Sequence, residues 1–361
     1  MVTGLHHITL GCSDAARTVA FYTRVLGLRL VKKTVNFDDP TSYHLYFGDA
    51  RGTPGSVVTF FEWAGAPRGA PGIGGTHHFA LQVPDGSVLR KWKRYLTDRG
   101  VAVKGPLDRH YFESLYFEDP DGATIELATQ GPGWTIDEPA DALGQSYRAP
   151  PSEMLTTNRD RARVTADTYP EEVPERTPDM ALRFGMHHIT AIASDIGRTH
   201  AFLGELLGLE LVKRTANFDD PESAHLYWGV SGGRPGTLVT YFERDPRREP
   251  RARMGAGQTH HYALAVPDDE TQGVFRERLL AAGYRVSPVM DRVYFKSIYT
   301  QDPDGHIVEL ATAGPGFTVD EDEHALGTGL MLPPWLEAER GRLEPYLQPL
   351  EAPLWDPQVV G

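Results

Sequence analysis

At 361 residues, with 40% hydrophobic and 24% charged side chains, the chain is too long for one ordinary core and suits two domains of a globular protein. A formal net charge of −13 excludes the broad basic face that nucleic acid or an anionic membrane would need, and no apolar run is long enough to span a bilayer. The single cysteine, Cys12, has no partner for an internal disulfide, and with no signal-peptide pattern at its start the chain reads as cytoplasmic.

In chain order, residues 6–10 form a short β-rich run. Ser13-Asp14 then offers an N-cap, and Val19, Tyr22, Val25 and Leu26 keep helical spacing until Gly27. Strands are predicted near 28–35, 43–47 and 56–61. A second unit opens at 77–83, carries a helix over 88–99, and closes with strands near 101–104, 111–117 and 124–128. The polar, Pro-containing stretch 145–183 has no sustained apolar period and reads as a linker.

The series then begins again. Leu5-His6-His7-Ile8-Thr9 returns as Met186-His187-His188-Ile189-Thr190, the run from Leu30 to Pro40 as Leu211 to Pro221, His44-Leu45-Tyr46 as His225-Leu226-Tyr227, and Asp119-Pro120-Asp121-Gly122 as Asp302-Pro303-Asp304-Gly305. Repetition on this scale means tandem domains rather than a solenoid. The sequence therefore predicts an α+β protein of four βαβββ units in two domains, 1–144 and 184–327, joined by the linker 145–183. The tail, 328–361, is expected to pack over a domain as a short helix.

Each half holds two His pairs, His6-His7 with His77-His78 and His187-His188 with His260-His261, and then an acid among β-formers, Glu126 or Glu309. A lone Glu in such a run ordinarily faces solvent, and one His pair in a strand is ordinarily incidental. Four pairs at matching places, each couple followed by an acid, are hard to explain as packing. Two imidazoles and one carboxylate make the facial triad that leaves open positions on Fe(II) for substrate and O₂. Because strand side chains alternate, His7 shares a face with Leu5 and Thr9, and His6 with the helix-packing Ile8 and Leu10. The second His of each pair is thus the predicted ligand, with the first orienting it. From the residues alone, His7, His78 and Glu126 within one half serve as well as a triad spanning both halves.

Two further segments recur, Asp108-Arg109 through Tyr116 and Asp291-Arg292 through Tyr299. Near a metal, Arg292 could hold a phenolate and Tyr299 could exchange a proton. His44 and His225 read as structural histidines, and Cys12 as a small buried residue. No P-loop or dinucleotide fingerprint occurs.

These residues resemble the vicinal oxygen chelate superfamily, which includes glyoxalase I, extradiol dioxygenases and antibiotic-binding proteins. The segments Leu5–Thr9, Leu30–Pro40, His44-Leu45-Tyr46-Phe47 and Phe317-Thr318-Val319-Asp320-Glu321 resemble more narrowly the hydroquinone-type ring-cleaving dioxygenases. The resemblance implies mixed, strongly curved sheets and one site built across the halves from His7, His261 and Glu309, surrounded by His6, Thr9, His260, Arg292 and Tyr299. It implies Fe(II), with Mn(II) as the alternative ion, and a small aromatic diol and O₂ as partners; a homo-oligomer is left open. The chain departs from that pattern by keeping a second set, His78, His188 and Glu126, with Arg109 and Tyr116 nearby. A glyoxalase-type isomerase or lyase would carry a second Glu in place of one His. A non-enzymatic antibiotic-type binder would lack a complete triad.

Overall fold

The computed structural model describes residues 1–351; the end of the predicted tail, 352–361, lies outside the described residues. The first unit runs β1 (Gly4–Cys12), helix α1 (Ala15–Val19) continued as a π-helix (Ala20–Val25), β2 (Arg29–Asn36), β3 (Asp39–Gly48) and β4 (Val57–Glu62). The second runs β5 (Thr76–Val83), α2 (Gly86–Thr97), β6 (Lys104–Asp108), β7 (Glu113–Glu118) and β8 (Thr124–Thr129), and the connection holds α3 (Arg161–Ala166). The third runs β9 (Met186–Ala193), α4 (Ile196–His200) with a second π-helix (Ala201–Leu206), β10 (Glu210–Asn217), β11 (Asp220–Gly229) and β12 (Leu238–Glu243). The fourth runs β13 (Thr259–Val266), α5 (Asp269–Ala281), β14 (Met290–Asp291), β15 (Lys296–Gln301) and β16 (Ile307–Thr312), and α6 (Arg340–Leu343) lies in the tail.

The helix signals act as expected. Asp14 accepts a hydrogen bond from the Arg17 N–H at 2.9 Å and caps α1. Gly27, at φ +80°, takes the left-handed conformation that ends the helical segment at little steric cost. Val88, Leu89, Trp92, Tyr95 and Leu96 are the buried apolar face of α2, at helical spacing.

Strand pairing joins units from different halves. One eight-stranded mixed sheet has the order β14-β15-β16-β13-β1-β4-β3-β2, so the fourth unit meets the first. The other has the order β10-β11-β12-β9-β5-β8-β7-β6, so the third meets the second. In both, the seam is antiparallel, β1 on β13 and β9 on β5. One large apolar cluster unites the helices with sheet residues of all four units, and two smaller ones, around Tyr46, Phe295 and Phe317 and around Tyr111, Phe112 and Trp134, fill the concave sides.

Each curl is closed by a buried lysine. Lys32 of β2 reaches across to Asp320 at 2.6 Å and to Glu321, both in the strap that follows β16. Lys213 of β10 does the same with Asp137, at 2.7 Å, and Glu138. Removing one partner of a buried ion cluster strands the others. Lys32→Met is therefore expected to cost about 3–5 kcal/mol, read as a fall in the urea midpoint at unchanged slope.

The stretch 145–183 does more than connect. The Arg148 N–H donates to the Arg214 carbonyl at 2.8 Å, and the Met331 N–H of the tail donates to that of Lys33 at 2.9 Å, so both segments cross matching strands. Pro150-Pro151 and Pro333-Pro334 show that the repeat itself runs on past Gly144 and Gly327. The described part of the tail packs Trp335 against Phe37, with ring centroids 5.5 Å apart, and accepts a hydrogen bond from the Tyr43 hydroxyl at the Gln348 carbonyl, 2.9 Å. Among the described residues no helix is long and apolar enough to cross a membrane.

Candidate metal centre

Both sheets carry the same three-residue cluster on their concave side. In the first, His7 comes from β1, His261 from β13 and Glu309 from β16, so two distant units and the antiparallel seam assemble it. Glu309 Oε2 lies 3.2 Å from His7 Nε2 and 2.9 Å from His261 Nε2, and the two nitrogens are 3.3 Å apart. In the second, Glu126 Oε2 lies 2.8 Å from His78 Nε2 and 3.3 Å from His188 Nε2, with the nitrogens 3.2 Å apart. The structure thus spans the halves in both clusters and does not bring His7, His78 and Glu126 together.

The other carboxylate oxygens are held from behind, Glu309 Oε1 by the Ser297 hydroxyl and Glu126 Oε1 by Ser114 at 2.5 Å. The inward oxygens, Oε2 of both acids, are buried and accept no well-aligned hydrogen bond. Buried carboxylate oxygens are normally satisfied, so two orphans at matching points facing two imidazoles fit a cation between them. Burial works to raise both carboxyls, but the facing imidazoles outweigh it and hold them well below the usual range.

The first histidines sit differently from the strand-alternation expectation. In β1 the register passes from Leu5 opposite Leu264 to His7 opposite Ala263, skipping His6. The pairings likewise skip His77, His187 and His260. Each His-His pair is therefore a β-bulge, in which two residues oppose one and both turn toward the same side. His6 consequently packs on Phe295, ring centroids 4.8 Å apart, instead of joining Ile8 and Leu10. The bulge sets Nδ1 of His6 2.8 Å from Nδ1 of His7, while His6 Nε2 lies 3.1 Å from the Thr312 carbonyl. With the carbonyl accepting from Nε2–H, His6 Nδ1 accepts from His7 Nδ1–H, which leaves His7 Nε2 as a lone pair aimed at the cluster. His260-His261 repeats the contact at 2.7 Å, His77-His78 at 2.8 Å and His187-His188 at 2.9 Å. Burial pushes His6 and His187 down to about 3, so both are neutral at pH 7.

Arg292 and Tyr299 border the first cluster. Tyr299 stands opposite Glu309 across β15 and β16, and its hydroxyl accepts from Arg292 Nε at 3.1 Å. Burial raises the phenol, so it keeps its proton and has it free to donate. Arg292 also donates to Asp38 at 3.3 Å. The turn after Arg292 passes through Val293 at φ +69°, a strained conformation for a β-branched residue, and His110 at φ +68° repeats it after Arg109. Thr9 lies behind the wall, where it accepts from Thr59 at 2.8 Å. His44 lines the cavity with both ring nitrogens engaged, by Thr59 at 3.0 Å and the Tyr46 hydroxyl at 3.0 Å.

Above His7 and His261 opens a cavity of about 390 Å³, walled by Phe37, Tyr46, Phe61, Trp63 and Phe295. Its counterpart over His78 and His188 measures about 280 Å³. Sequence reasoning assigned no role to Ser297, Ser114, Phe295 or Phe112. Their recurrence inside the repeated Arg-to-Tyr segments was the available signal.

The sequence profile of the Glyoxalase/Bleomycin resistance protein/Dioxygenase superfamily matches residues 4–127 and again 185–310. The chain belongs to this superfamily. Within it, the chain is 34% identical over 350 residues to the "Putative ring-cleaving dioxygenase MhqO" of Bacillus subtilis, covering 96% of each chain. It is 31% identical to the chlorohydroquinone/hydroquinone 1,2-dioxygenase of Sphingobium indicum, covering 95% of each. A crystal structure of a "putative dioxygenase" from Bacillus subtilis superposes with a TM-score of 0.78 at 32% identity over 98% of both chains. The glyoxalase I of Zea mays shares the fold alone, with a TM-score of 0.57 at 17% identity over 86% of this chain and 92% of that one.

Proposed function

We propose that the chain is an Fe(II)-dependent dioxygenase that opens the ring of a hydroquinone- or catechol-like diol with O₂, at a centre held by His7, His261 and Glu309. The observation that carries this reading is the buried two-histidine, one-carboxylate cluster whose unsatisfied Glu309 Oε2 faces both Nε2 atoms under an aromatic-walled cavity. Such a donor set suits Fe(II), with Mn(II) as the alternative, and leaves positions open. When bound, the ion would hold diol and O₂ side by side and pass charge between them.

The chain's own residues supply the rest. Phe61 and Phe295 exclude water and offer faces and edges to an aromatic ring. Arg292 places a fixed positive charge where a diol oxygen loses its proton. Tyr299, neutral and anchored by Arg292, holds a proton at its hydroxyl for the oxygen that gains charge. His260 is positioned at the cavity edge, and His6 fixes the tautomer of His7. The similarity to the hydroquinone dioxygenase of Sphingobium indicum supports this choice of diol.

Anaerobic reconstitution with Fe(II), followed by oxygen-electrode assays over a panel of hydroquinones and catechols, tests the reading. Diol-stimulated O₂ uptake is expected. Absence of uptake with every diol in metal-loaded protein would reject it. Tyr299→Phe is expected to lower kcat by about 10²–10⁴-fold with a small change in KM, the range for a lost proton-transfer group.

A further inference from the structure

We propose that the cluster of His78, His188 and Glu126 is a second, separate centre, and that its pocket takes aromatic diols carrying an anionic substituent such as a ring carboxylate. This rests on the dioxygenase reading of the first centre for the diol, and on the differences between the two pockets for the charge.

The clusters match, down to the orphaned Glu126 Oε2 and the serine behind it, so the second keeps every feature from which the first was read. A decayed copy would have no reason to keep a buried, unpaired carboxylate oxygen, which costs stability unless something binds it. The walls above differ. Where the first pocket has Trp63, the second has Arg244. The exchange is built into the neighbouring strand. Trp63 lies over Gly11, where an added Cβ would come within 2.2 Å of the indole, and at the equivalent place in β9 stands Ile192. Thr124 replaces Ile307 in the lining, and Lys104 enters where the fourth unit has Ser287.

The result is a different charge balance. In the first pocket Asp38 faces the single cation Arg292 at 3.3 Å. In the second, the lining residues Arg109, at 3.0 Å, and Lys104, at 3.2 Å, share one carboxylate, Asp219, which Arg159 also contacts at 3.0 Å from outside the lining, while Arg244 is held by Asp220 at 2.6 Å. Three cations around one carboxylate leave positive charge unanswered at the edge of a partly enclosed cavity, where a substrate carboxylate completes the set. The first pocket, with an indole at the Arg244 place, suits an uncharged ring.

The test uses the full chain, loaded anaerobically with Fe(II), with metal content per chain and calorimetric titration of 2,5-dihydroxybenzoate and of hydroquinone as readouts. Two ions per chain are expected. Glu126→Gln is expected to lose one ion and the dihydroxybenzoate site while keeping hydroquinone binding; Glu309→Gln is expected to do the converse. Arg244→Met, which touches neither cluster and removes the charge without placing an indole on Ile192, is expected to weaken dihydroxybenzoate at least roughly tenfold, the equivalent of one charge-assisted hydrogen bond, with two ions retained. Trp63→Arg is expected to admit dihydroxybenzoate to the first pocket. One ion per chain that Glu309→Gln removes, or dihydroxybenzoate affinity indifferent to Arg244→Met, would overturn the proposal. Two ions and this sorting of ligands without O₂ uptake would reject the dioxygenase reading alone, whereas O₂ uptake with one ion per chain would reject the second centre alone.

Discussion

Glu309→Gln is expected to strip one metal ion from the chain and to abolish ring opening at the first centre. The substitution keeps the side-chain shape and leaves an oxygen for the Ser297 hydroxyl, so the strand should fold as before. It removes the negative charge that faces His7 Nε2 at 3.2 Å and His261 Nε2 at 2.9 Å. Groups that merely support a metal ligand cost about 10–100-fold in affinity when removed, so losing the charged ligand should cost at least the upper figure. Ser297→Ala, which loosens Glu309 without discharging it, should fall within that 10–100-fold range. His7→Ala should match Glu309→Gln in metal content although it lies in the other half of the chain. Metal analysis after dialysis against a chelator reads all three, and a His7→Ala protein with unchanged metal content and activity would show the cross-half triad to be wrong.

The metal-free protein is expected to lose stability steeply as pH falls below neutrality. His6, His187 and His306 are buried and pushed down to about 3 in the folded state, each chiefly by burial. A base with a depressed folded pKa stabilises fully above its unfolded value near 6.5, and that contribution fades as pH falls toward the folded value. At pH 5 each of the three costs about 2 kcal/mol relative to pH 7. Asp119 and Asp302 oppose this, because burial raises both to about 6 and the folded state takes up their protons first. They return only part of that loss, so a net loss of stability remains. Urea midpoints at pH 7 and pH 5 measure it. His306→Gln, which removes a buried ring with an unpartnered Nδ1, should flatten the slope, and equal midpoints at the two pH values would contradict the argument.

Much of the site was legible because its chemistry is local and repeated. The second His of each pair, the acids and the Arg-to-Tyr segments all stand where the structure clusters them. The faces of the first histidines were not legible, because strand alternation fails at a bulge and the bulge shows only against a partner strand. The choice of partner was equally hidden. Nothing in residues 1–144 states that β1 pairs with β13, so the residues alone left a triad within one half open. The region 145–183 looked like a linker because a strap held by backbone hydrogen bonds needs no apolar period.

The strand order also sets a timetable. All strands of the second sheet lie consecutively in the chain, β5 to β12, whereas the first sheet is split around them, and its two histidines are 254 residues apart against 110 in the second. As the chain leaves the ribosome, the enclosed sheet can close once β12 has emerged. The β1–β4 half waits roughly 10–40 s for β13, at ordinary rates of about 5–20 residues per second, with the edge of β1 unpaired. The youngest part of the nascent chain therefore completes the oldest, and the triad drawn from the first and fourth units is the last to exist.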